Sequence, residues 1–385
     1  MTHNQNLVVL RAFGNDLDAL VNDTVLPLAM SRLRGQLTMP KLITVDTADE
    51  AKQVGETVRV QKPIKFSQAD EHGVDGSTAS DLVAEKVDLK LNRHIYKEFK
   101  MSDREFTGSM GGSIPSALEG AVDVIAEAVN AAIFAMVQEV SAYSGVLDSQ
   151  NGRTKDDLIS AKTKLDQAKV SKSGRNLVLS SESEGELLKV FTAGNDQSAE
   201  KEGFIGRRFG FDTYSDIQCD YHVAGTASAD ANIVTAINVA AGSKILVLEG
   251  ATAGATVVKG DVITIAGQSF AVAEATVFAD GSAAVSVENA VETAIASGTA
   301  AQVAGTHRGD VAFTKDAFVI AFRQLENPTE VPGVTVGSMT DPVTGITLRL
   351  MSWYNPSTEN THWKLETLFG VKAVAPERAI RLGGH

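Results

Sequence analysis

The residues that could carry out chemistry are few and widely spaced in this chain. Cys219 and His222 have the spacing of two ligands of one metal ion. Zinc needs three or four ligands, however, and no second pair lies nearby in the sequence. We therefore interpret Cys219 as a buried thiol beside an interfacial histidine, and we predict no metal site.

A glycine-rich run, Gly203, Gly206 and Gly210, resembles a phosphate-binding loop in composition only. Such loops follow a strand and open a helix, and neither pattern flanks this run. The sequence also holds no Gly-x-x-x-x-Gly-Lys-Ser/Thr loop, no Gly-x-Gly-x-x-Gly and no Gly-x-Ser-x-Gly elbow. We expect no catalytic residue, no cofactor and no enzymatic activity.

Length and composition limit the class of protein. A chain of 385 residues exceeds what one hydrophobic core usually organises, so we expect two or more folding units. The formal net charge of −13 disfavours nonspecific binding to nucleic acid or to an anionic membrane by the whole surface. The most apolar stretch, residues 128–137, is shorter than the roughly 20 residues that span a bilayer. We predict no membrane segment and, from the N-terminus, no secretory signal.

Two extended segments near the N-terminus predict a long hairpin. One covers residues 56–66 and the other covers residues 87–101, where apolar and polar residues alternate. At about 3.3 Å per residue such a hairpin would reach roughly 30 to 45 Å. A two-stranded ribbon is rarely stable alone in water, so we expect this hairpin to lie on a neighbouring subunit.

A nearly apolar helix should follow the hairpin. From residue 113 to about residue 144, large apolar residues recur at three and four positions and alanines fill much of the rest. The spacing predicts a buried spine of about 29 residues, roughly 43 Å long. A helix at 155–169, a strand at 176–180 and a short helix at 184–191 then predict an α/β module.

Residues 223–306 differ in composition from the rest of the chain. These 84 residues carry only two basic side chains, Lys244 and Lys259, in a run rich in Ala, Gly, Val and Thr. Tight-turn signals at Gly267-Gln268 and at Asp280-Gly281 predict two hairpins and hence a small barrel or sandwich. Beyond this segment, residues 317–322 predict a strand, and residues 345–353 and 361–369 predict an antiparallel pair.

This order of elements resembles the major capsid proteins of tailed bacteriophages with the Hong Kong 97-like fold, and is most similar to the Salmonella phage P-twenty-two type. The resemblance covers nearly the whole chain and is most specific at residues 54–60, 313–318 and 368–378. The 222–306 segment is shorter than this type implies.

The resemblance implies an α+β chain of six parts. These are an N-terminal arm (1–50), an extended hairpin or E-loop (51–101), a peripheral domain with the spine helix (102–175), the first part of an α/β apical domain (176–221), an inserted β-barrel-like domain (222–306), and returning strands with the C-terminus (307–385).

Charged residues on the hairpin and the helix are our candidate contacts between subunits. The hairpin is basic in a chain that is acidic overall, and an acidic stripe on the spine of a neighbour could receive it. A simple solvated strand face is the alternative interpretation. The candidates are Arg59, Lys62, Lys65, Arg93 and Lys97 on the hairpin, Glu119, Asp123 and Glu127 on the helix, and Arg207 and Arg208 in the apical module.

The function that the resemblance implies is assembly rather than catalysis. Copies of the chain would form hexamers and pentamers of an icosahedral shell around double-stranded DNA, with a scaffolding protein and a portal protein as partners. The shell would be built in the bacterial cytoplasm and would expand on maturation. Whether a decoration protein binds is left open. A β-rich surface or adhesive module is the alternative function.

Overall fold

The computed structural model is a mixed α+β fold with many strands. It describes residues 27, 29, 31, 33, 38–46, 57–62, 86–104, 113–148, 152–193, 203, 205–219, 221–326, 334–341 and 345–384. Residues 27, 29, 31 and 33 are helical. The further described helices are α1 (Met39–Leu42), α2 (Ser113–Phe134), α3 (Lys155–Gln167) and α4 (Ser181–Ala193), with 3-10 helices at Ala135–Glu139, Thr226–Ala229, Lys315–Ala317 and Pro376–Arg378.

The described strands are numbered in chain order. They are β1 (Thr44–Asp46), β2 (Thr57–Gln61), β3 (Lys86–Lys90), β4 (Arg93–Ser102), β5 (Tyr143–Ser144), β6 (Arg175–Leu179), β7 (Arg207–Arg208), β8 (Phe211–Ser215), β9 (Tyr221–His222), β10 (Val234–Thr235), β11 (Ile245–Glu249), β12 (Thr256–Val257), β13 (Val262–Ile265), β14 (Gln268–Ala271), β15 (Thr276–Val277), β16 (Ser282–Ser286), β17 (Ala301–Val303), β18 (His307–Arg308), β19 (Val311–Thr314), β20 (Phe318–Arg323), β21 (Val334–Thr340), β22 (Thr347–Asn355), β23 (Asn360–Ala373) and β24 (Ala379–Leu382).

Helix α2 lies at the centre of the largest apolar core, as its sequence period predicts. The predicted inward positions are fully or almost fully buried at Leu118, Val122, Ile125, Val129 and Ile133. The α-helix ends ten residues short of the predicted boundary and continues only as the 3-10 helix to residue 139. The reason is tertiary pairing, because residues 143–144 form β5 and pair in parallel with β24.

One helical segment among the described residues, Ala117–Glu139, is long and apolar enough to cross a bilayer by length and composition. Just over half of its most apolar window, 56%, is buried inside the protein. Length and composition do not distinguish such a segment from the core helix of a globular protein, and α2 packs against the main sheet of the same chain.

The main sheet has six strands in the order β1-β20-β23-β22-β21, with β4 paired to the first part of β23. The predicted antiparallel pair is confirmed as β22 and β23, which pair from Arg349 with Glu366 to Asn355 with Asn360. Trp363, Leu365 and Phe369 point from β23 into the core with α2. Residues at the intervening positions of β23 lie on the opposite face.

The hairpin differs from its prediction. Residues 87–101 are not one strand, because pairing stops at Leu91 and Asn92 and divides them into β3 and β4. Only β3 pairs with β2, whereas β4 pairs with β23 over ten residue pairs. The base of the hairpin packs on its own chain, since Val58, Leu89 and Leu91 share a small core with Val319, Ala321 and Val374. The rest of the predicted hairpin, 63–85, lies outside the described residues.

A contact at Gly370 explains how close the hairpin lies to the sheet. A Cβ atom built on this residue would be 2.3 Å from the carbonyl oxygen of Lys90 and 2.7 Å from Leu89. Only glycine permits this separation. The expectation that the hairpin lies on a neighbouring subunit is therefore wrong for its base, which is held by the same subunit.

The predicted α/β module is confirmed in its elements. A second six-stranded sheet has the order β5-β24-β19-β6-β8-β7. Helices α3 and α4 contribute to its core through Leu158, Leu165, Leu187 and Phe191. Helix α3 starts where predicted because Thr154 and Asp157 form a capping box.

Residues 222–306 form small sheets around an apolar core of their own. This core includes Leu246, Leu248, Ile263, Phe270 and Phe278. The predicted turn between β13 and β14 forms, one residue earlier than Gly267-Gln268: it lies at Ala266-Gly267, where both residues have positive φ. The turn at Asp280-Gly281 also forms, but the strands beside it separate, since β15 pairs with β12 and β16 with β11.

Several described residues of the N-terminal segment belong to the main core. Ala29, Leu33, Met39 and Ile43 are buried there with α2. Strand β1 pairs in parallel with β20, from Thr44 with Val319 to Asp46 with Ala321. Most of the predicted N-terminal arm (1–50) lies outside the described residues.

Candidate functional site: interaction surfaces and a buried polar junction

Cys219 and His222 do not share a site. The Sγ of buried Cys219 lies 3.8 Å from Oδ1 of Asp310, whereas Nε2 of His222 lies 2.7 Å from Oδ1 of Asp261. Burial, together with the charges of Asp310 and Asp216, raises the pKa of the Cys219 thiol well above its usual value. Among the residues that the structure describes, no group of three or more His, Cys, Asp or Glu side chains could hold a metal ion.

Asp310 is the centre of a buried polar cluster that sequence reasoning missed. Its carboxylate accepts hydrogen bonds from Arg153 Nε at 2.8 Å, from the backbone N–H of Ser180 at 2.7 Å and from Ser183 Oγ at 2.5 Å. Arg153 and Asp310 are fully buried as a pair. The cluster joins the start of α4 to the strand that follows β18, so it positions elements of one chain.

The two strands that connect the 222–306 unit to the rest of the chain lie side by side. Strands β9 and β18 are antiparallel, with Tyr221 beside Arg308 and His222 beside His307. Arg308 forms a bidentate ion pair with Glu186 on α4, at 2.6 and 2.9 Å. This hydrogen bonding lowers the pKa of Glu186 and raises that of Arg308.

Arg381 links three parts of the chain at this junction. From β24 its guanidinium donates to the carbonyl oxygen of Gly260 at 2.7 Å and to that of Gln138 at 2.8 Å. Gly260 belongs to the 222–306 unit, and Gln138 follows α2. Burial lowers the pKa of Arg381 to about 10, so the guanidinium remains charged at neutral pH.

Two histidines and an aspartate complete the junction. The His222 and His307 rings lie 5.1 Å apart between centroids. His307 is buried between the carbonyl oxygen of Gly305, 2.8 Å from Nδ1, and Arg381, 3.3 Å from Nε2. Burial, reinforced by the charge of Arg381, lowers the pKa of His307 to about 3.

Asp261 accepts hydrogen bonds from the backbone of Gly225 and Val258 as well as facing His222. The junction is a closed network between the two parts of the chain.

The predicted basic residues of the hairpin divide into two groups. Arg59 and Lys62 are on or directly after β2, and Arg59 lies 3.6 Å from Asp88 of β3. Arg93 and Lys97 are exposed on β4, which belongs to the main sheet and not to the hairpin. Lys65 lies outside the described residues. The structure thus separates residues that the sequence analysis grouped as one basic arm.

The predicted acidic stripe lies along α2. Glu119 and Asp123 are half-buried and Glu127 is exposed. In the apical module, Arg207 lies 3.5 Å from Asp212 within its own hairpin, and Arg208 stacks 5.9 Å from the centre of the Phe191 ring. Contacts of any of these residues with another subunit stay a prediction.

A charged region on the outer face of the main sheet was also missed. Glu366 is fully buried there and is contacted by Arg349 at 2.5 Å, Lys364 at 2.7 Å and His94 at 3.0 Å. Burial alone would raise the pKa of Glu366, but the hydrogen bonds from Lys364 and Arg349 outweigh this effect and lower the pKa. The alternation of Lys364 and Glu366 on β23 was the available signal, although strand pairing with β22 and β4 could not be inferred from it.

Comparison with known proteins gives similarities of structure only. No protein-family model matches the chain, and no curated protein matches it. It is similar to a structure of Mycobacterium phage Che8, with 13% identity, 90% of each chain covered and a TM-score of 0.47. It is also similar to the capsid of cyanophage P-SCSP1u, with 13% identity, 91% of this chain and 88% of that chain covered and a TM-score of 0.46. A third similar structure is a virus-like particle from Pyrococcus furiosus, with 12% identity, 93% and 96% covered and a TM-score of 0.43. With TM-scores below 0.5, these similarities establish neither a family nor a function.

Proposed function

We propose that this protein is a capsid protein that assembles with copies of itself into a closed shell. More specifically, it would be the major coat protein of a tailed bacteriophage with the Hong Kong 97-like fold and an inserted β-domain. The shell would enclose double-stranded DNA and mature from a procapsid by expansion. The structures to which the chain is similar carry names of phages, a capsid and a virus-like particle, and the proposal agrees with those names without depending on them.

One observation supports the proposal most directly. Strand β23, near the C-terminus, pairs along ten residues with β4, the strand that leads from the hairpin towards α2. The hairpin, the buried helix and the returning C-terminal strands therefore form one structural body. The resemblance in the sequence implies the same parts, in the same order along the chain, for a shell subunit.

The buried polar clusters also favour a structural role. Asp310 and Arg381 are surrounded by partners from their own chain, and these contacts connect separate elements rather than line an open cleft. Their role is to hold the 222–306 unit, α4 and β24 in fixed positions. A subunit that repeats many times in a shell needs such fixed geometry, because its contacts must recur in register.

Assembly would depend on many weak contacts. Ion pairs between subunits could form from the exposed Arg93 and Lys97 of one copy and the exposed Glu127 of another. Each such pair would contribute about 0.2 to 1 kcal/mol to the free energy of association. Weak contacts of this size permit errors to be corrected while a shell grows. A scaffolding protein and a portal protein would be the further partners. The net charge of −13 would weaken the binding of DNA to the inner wall of the shell.

Maturation would require parts that move. We propose the tip of the hairpin and the N-terminal arm for this role, with hinges near Gly55 and at Gly108 to Gly112, all outside the described residues. The base of the hairpin would stay fixed, since Leu89 and Leu91 are buried against the main sheet.

Electron microscopy of the purified full-length protein, with and without a scaffolding protein, tests the proposed function. Shells, tubes or capsomers are the expected result. The single variants Arg93→Glu and Lys97→Glu should each assemble less well, whereas Lys244→Glu, the same change of charge at an exposed lysine of the 222–306 unit, should assemble as the wild type does. Wild-type protein that stays monomeric under all assembly conditions would refute the proposal.

A further inference from the structure

We propose that β21 pairs with β21 of a second copy of this chain, antiparallel and around a local twofold axis. The inference deepens the proposed function, on which it rests for the presence of many copies in one assembly. It assigns a particular contact between subunits to a strand that carries no charge.

The main sheet has three outer strands, β1, β4 and β21, of which β1 has only three residues and ends in Asp46. Strand β21 is the end of the sheet order, and no described strand pairs with its outer edge. Strand β4 is the outer strand beside β23, and its sequence carries Arg93, Lys97, Glu98 and Lys100. Charged side chains of this kind are a common protection against pairing at an open edge.

Strand β21 lacks such protection. Its sequence, Val-Thr-Val-Gly-Ser-Met-Thr, contains no charged residue and no proline. At about 3.3 Å per residue its seven residues offer an edge of roughly 23 Å, along which no strand of the described residues pairs. Two of its side chains, Val334 and Val336, are half-buried on the outer face of the sheet beside Trp353 and Met351. The edge is therefore suited to accept another strand.

A second copy of β21 fits this edge better than a charged strand does. Around a twofold axis each residue faces the same set of residues on its mate, so a charged edge would place like charges opposite one another. Gly337 lies at the middle of β21. In a pair centred there, the two glycines face each other and bring no side chains into conflict. Val336 then lies opposite Ser338 of the partner subunit, and Thr335 opposite Met339 of the partner subunit.

Cysteine cross-linking between two single variants tests both the pairing and its register. The background is Cys219→Ala, which removes the chain's one cysteine. Val336→Cys and Ser338→Cys are prepared separately with tags of different mass, mixed under assembly conditions and oxidised. We expect a disulfide-linked heterodimer from the mixture and a marked loss of dimer from either variant alone. Circular dichroism of each variant checks that it folds. Folded variants that give no heterodimer, or that give equal homodimers, would overturn the proposed register and pairing.

A charge placed on the edge separates this inference from the proposed function. Val336→Lys, placed in the chain that carries Ser338→Cys, should abolish the disulfide to the second chain, which carries Val336→Cys. As the only change in the chain, Val336→Lys should reduce the yield of shells. Val277→Lys, the same change at an exposed valine of β15 in the 222–306 unit, is the matched control and should leave both unchanged. If the wild type forms shells and Val336→Lys forms them in the same yield, the β21 contact is refuted and the capsid function stands. If the disulfide forms but the wild type never forms shells, the capsid function is refuted and the β21 contact stands.

Discussion

Arg381 donates a hydrogen bond of 2.7 Å to the carbonyl oxygen of Gly260 and thereby ties the last strand of the chain to a turn of the 222–306 unit. The same guanidinium holds the carbonyl oxygen of Gln138 at 2.8 Å. One side chain thus fixes the position of the unit relative to both the C-terminus and the end of the central helix.

Replacing Arg381 with Met should destabilise the protein by about 2 to 5 kcal/mol, because two buried carbonyl oxygens would lose their donors. Urea unfolding of the unassembled protein measures this change. Arg207→Met is the control: its side chain is 64% exposed, so its loss should stay within about 0.5 kcal/mol. Equal losses for the two variants would show that Arg381 does not hold the junction.

Gly260→Ala should lower the free energy of unfolding more than Gly254→Ala does. Both glycines have positive φ, 91° and 82°, so both variants incur backbone strain of about 1 kcal/mol. A Cβ at Gly260 would also lie 2.7 Å from Cβ of Gln138, whereas a Cβ at Gly254 meets nothing within 4 Å. The overpacking should add about 1 to 3 kcal/mol. The same denaturation measurement checks it, and indistinguishable midpoints would contradict the close approach at Gly260.

Protein stability should fall in mild acid because of His307. The folded state keeps this imidazole neutral, with its pKa lowered from 6.5 to about 3. Below pH 6.5 the unfolded chain therefore binds a proton that the folded chain does not. As the pH falls from 6.5 to 3, the contribution of His307 to the free energy of unfolding decreases by at most about 1.4 kcal/mol per pH unit.

The comparison of wild type with His307→Asn isolates this titration from that of the carboxylates common to both proteins. Asparagine has no titrating side chain and retains an N–H donor for the carbonyl of Gly305. The groups that face His307 are Arg381, His222 and Asp261, and all three remain in the variant. Unfolding midpoints at pH 7.5 and pH 5.0 should differ more for wild type than for the variant. A parallel loss in both would rule out His307 as the source.

Residues 222–306 should fold when expressed alone, because they enclose a core that includes Leu246, Ile263 and Phe270 within their own sheets. A dispersed amide NMR spectrum is the expected result. The complementary variant joins Tyr221 to Arg308 through a short glycine linker and should retain the folded host, destabilised by the loss of the Arg381 contact to Gly260. A collapsed spectrum from the isolated segment would show that it needs the host to fold.

Elements that depend on local pattern could be predicted from the sequence. The three- and four-residue spacing of Leu118, Val122 and Ile125 identified the buried side of α2. Two extended segments on either side of a short polar turn identified β22 and β23 as an antiparallel pair. Gly267 indicated the turn between β13 and β14, because glycine tolerates positive φ, but the positive φ of Ala266 could not be inferred from its residue type. In each case neighbours in the chain determine the structure.

The rest depends on partners far away in the chain. Nothing near Asp310 indicates that it contacts Arg153 and Ser180, which lie more than a hundred residues before it. The division of residues 87–101 into two strands likewise has a distant cause, since β4 is drawn into pairing with β23. The basic residues were grouped by nearness in sequence, and the sheet then placed them on different elements.

The side-by-side strands β9 and β18 have one more consequence. Because Tyr221 and Arg308 are paired, the host chain leaves and returns at a single point of its surface. A gene could therefore gain, lose or exchange the intervening segment in one step without moving either end of the host. The same position offers a natural place at which a foreign domain could be displayed.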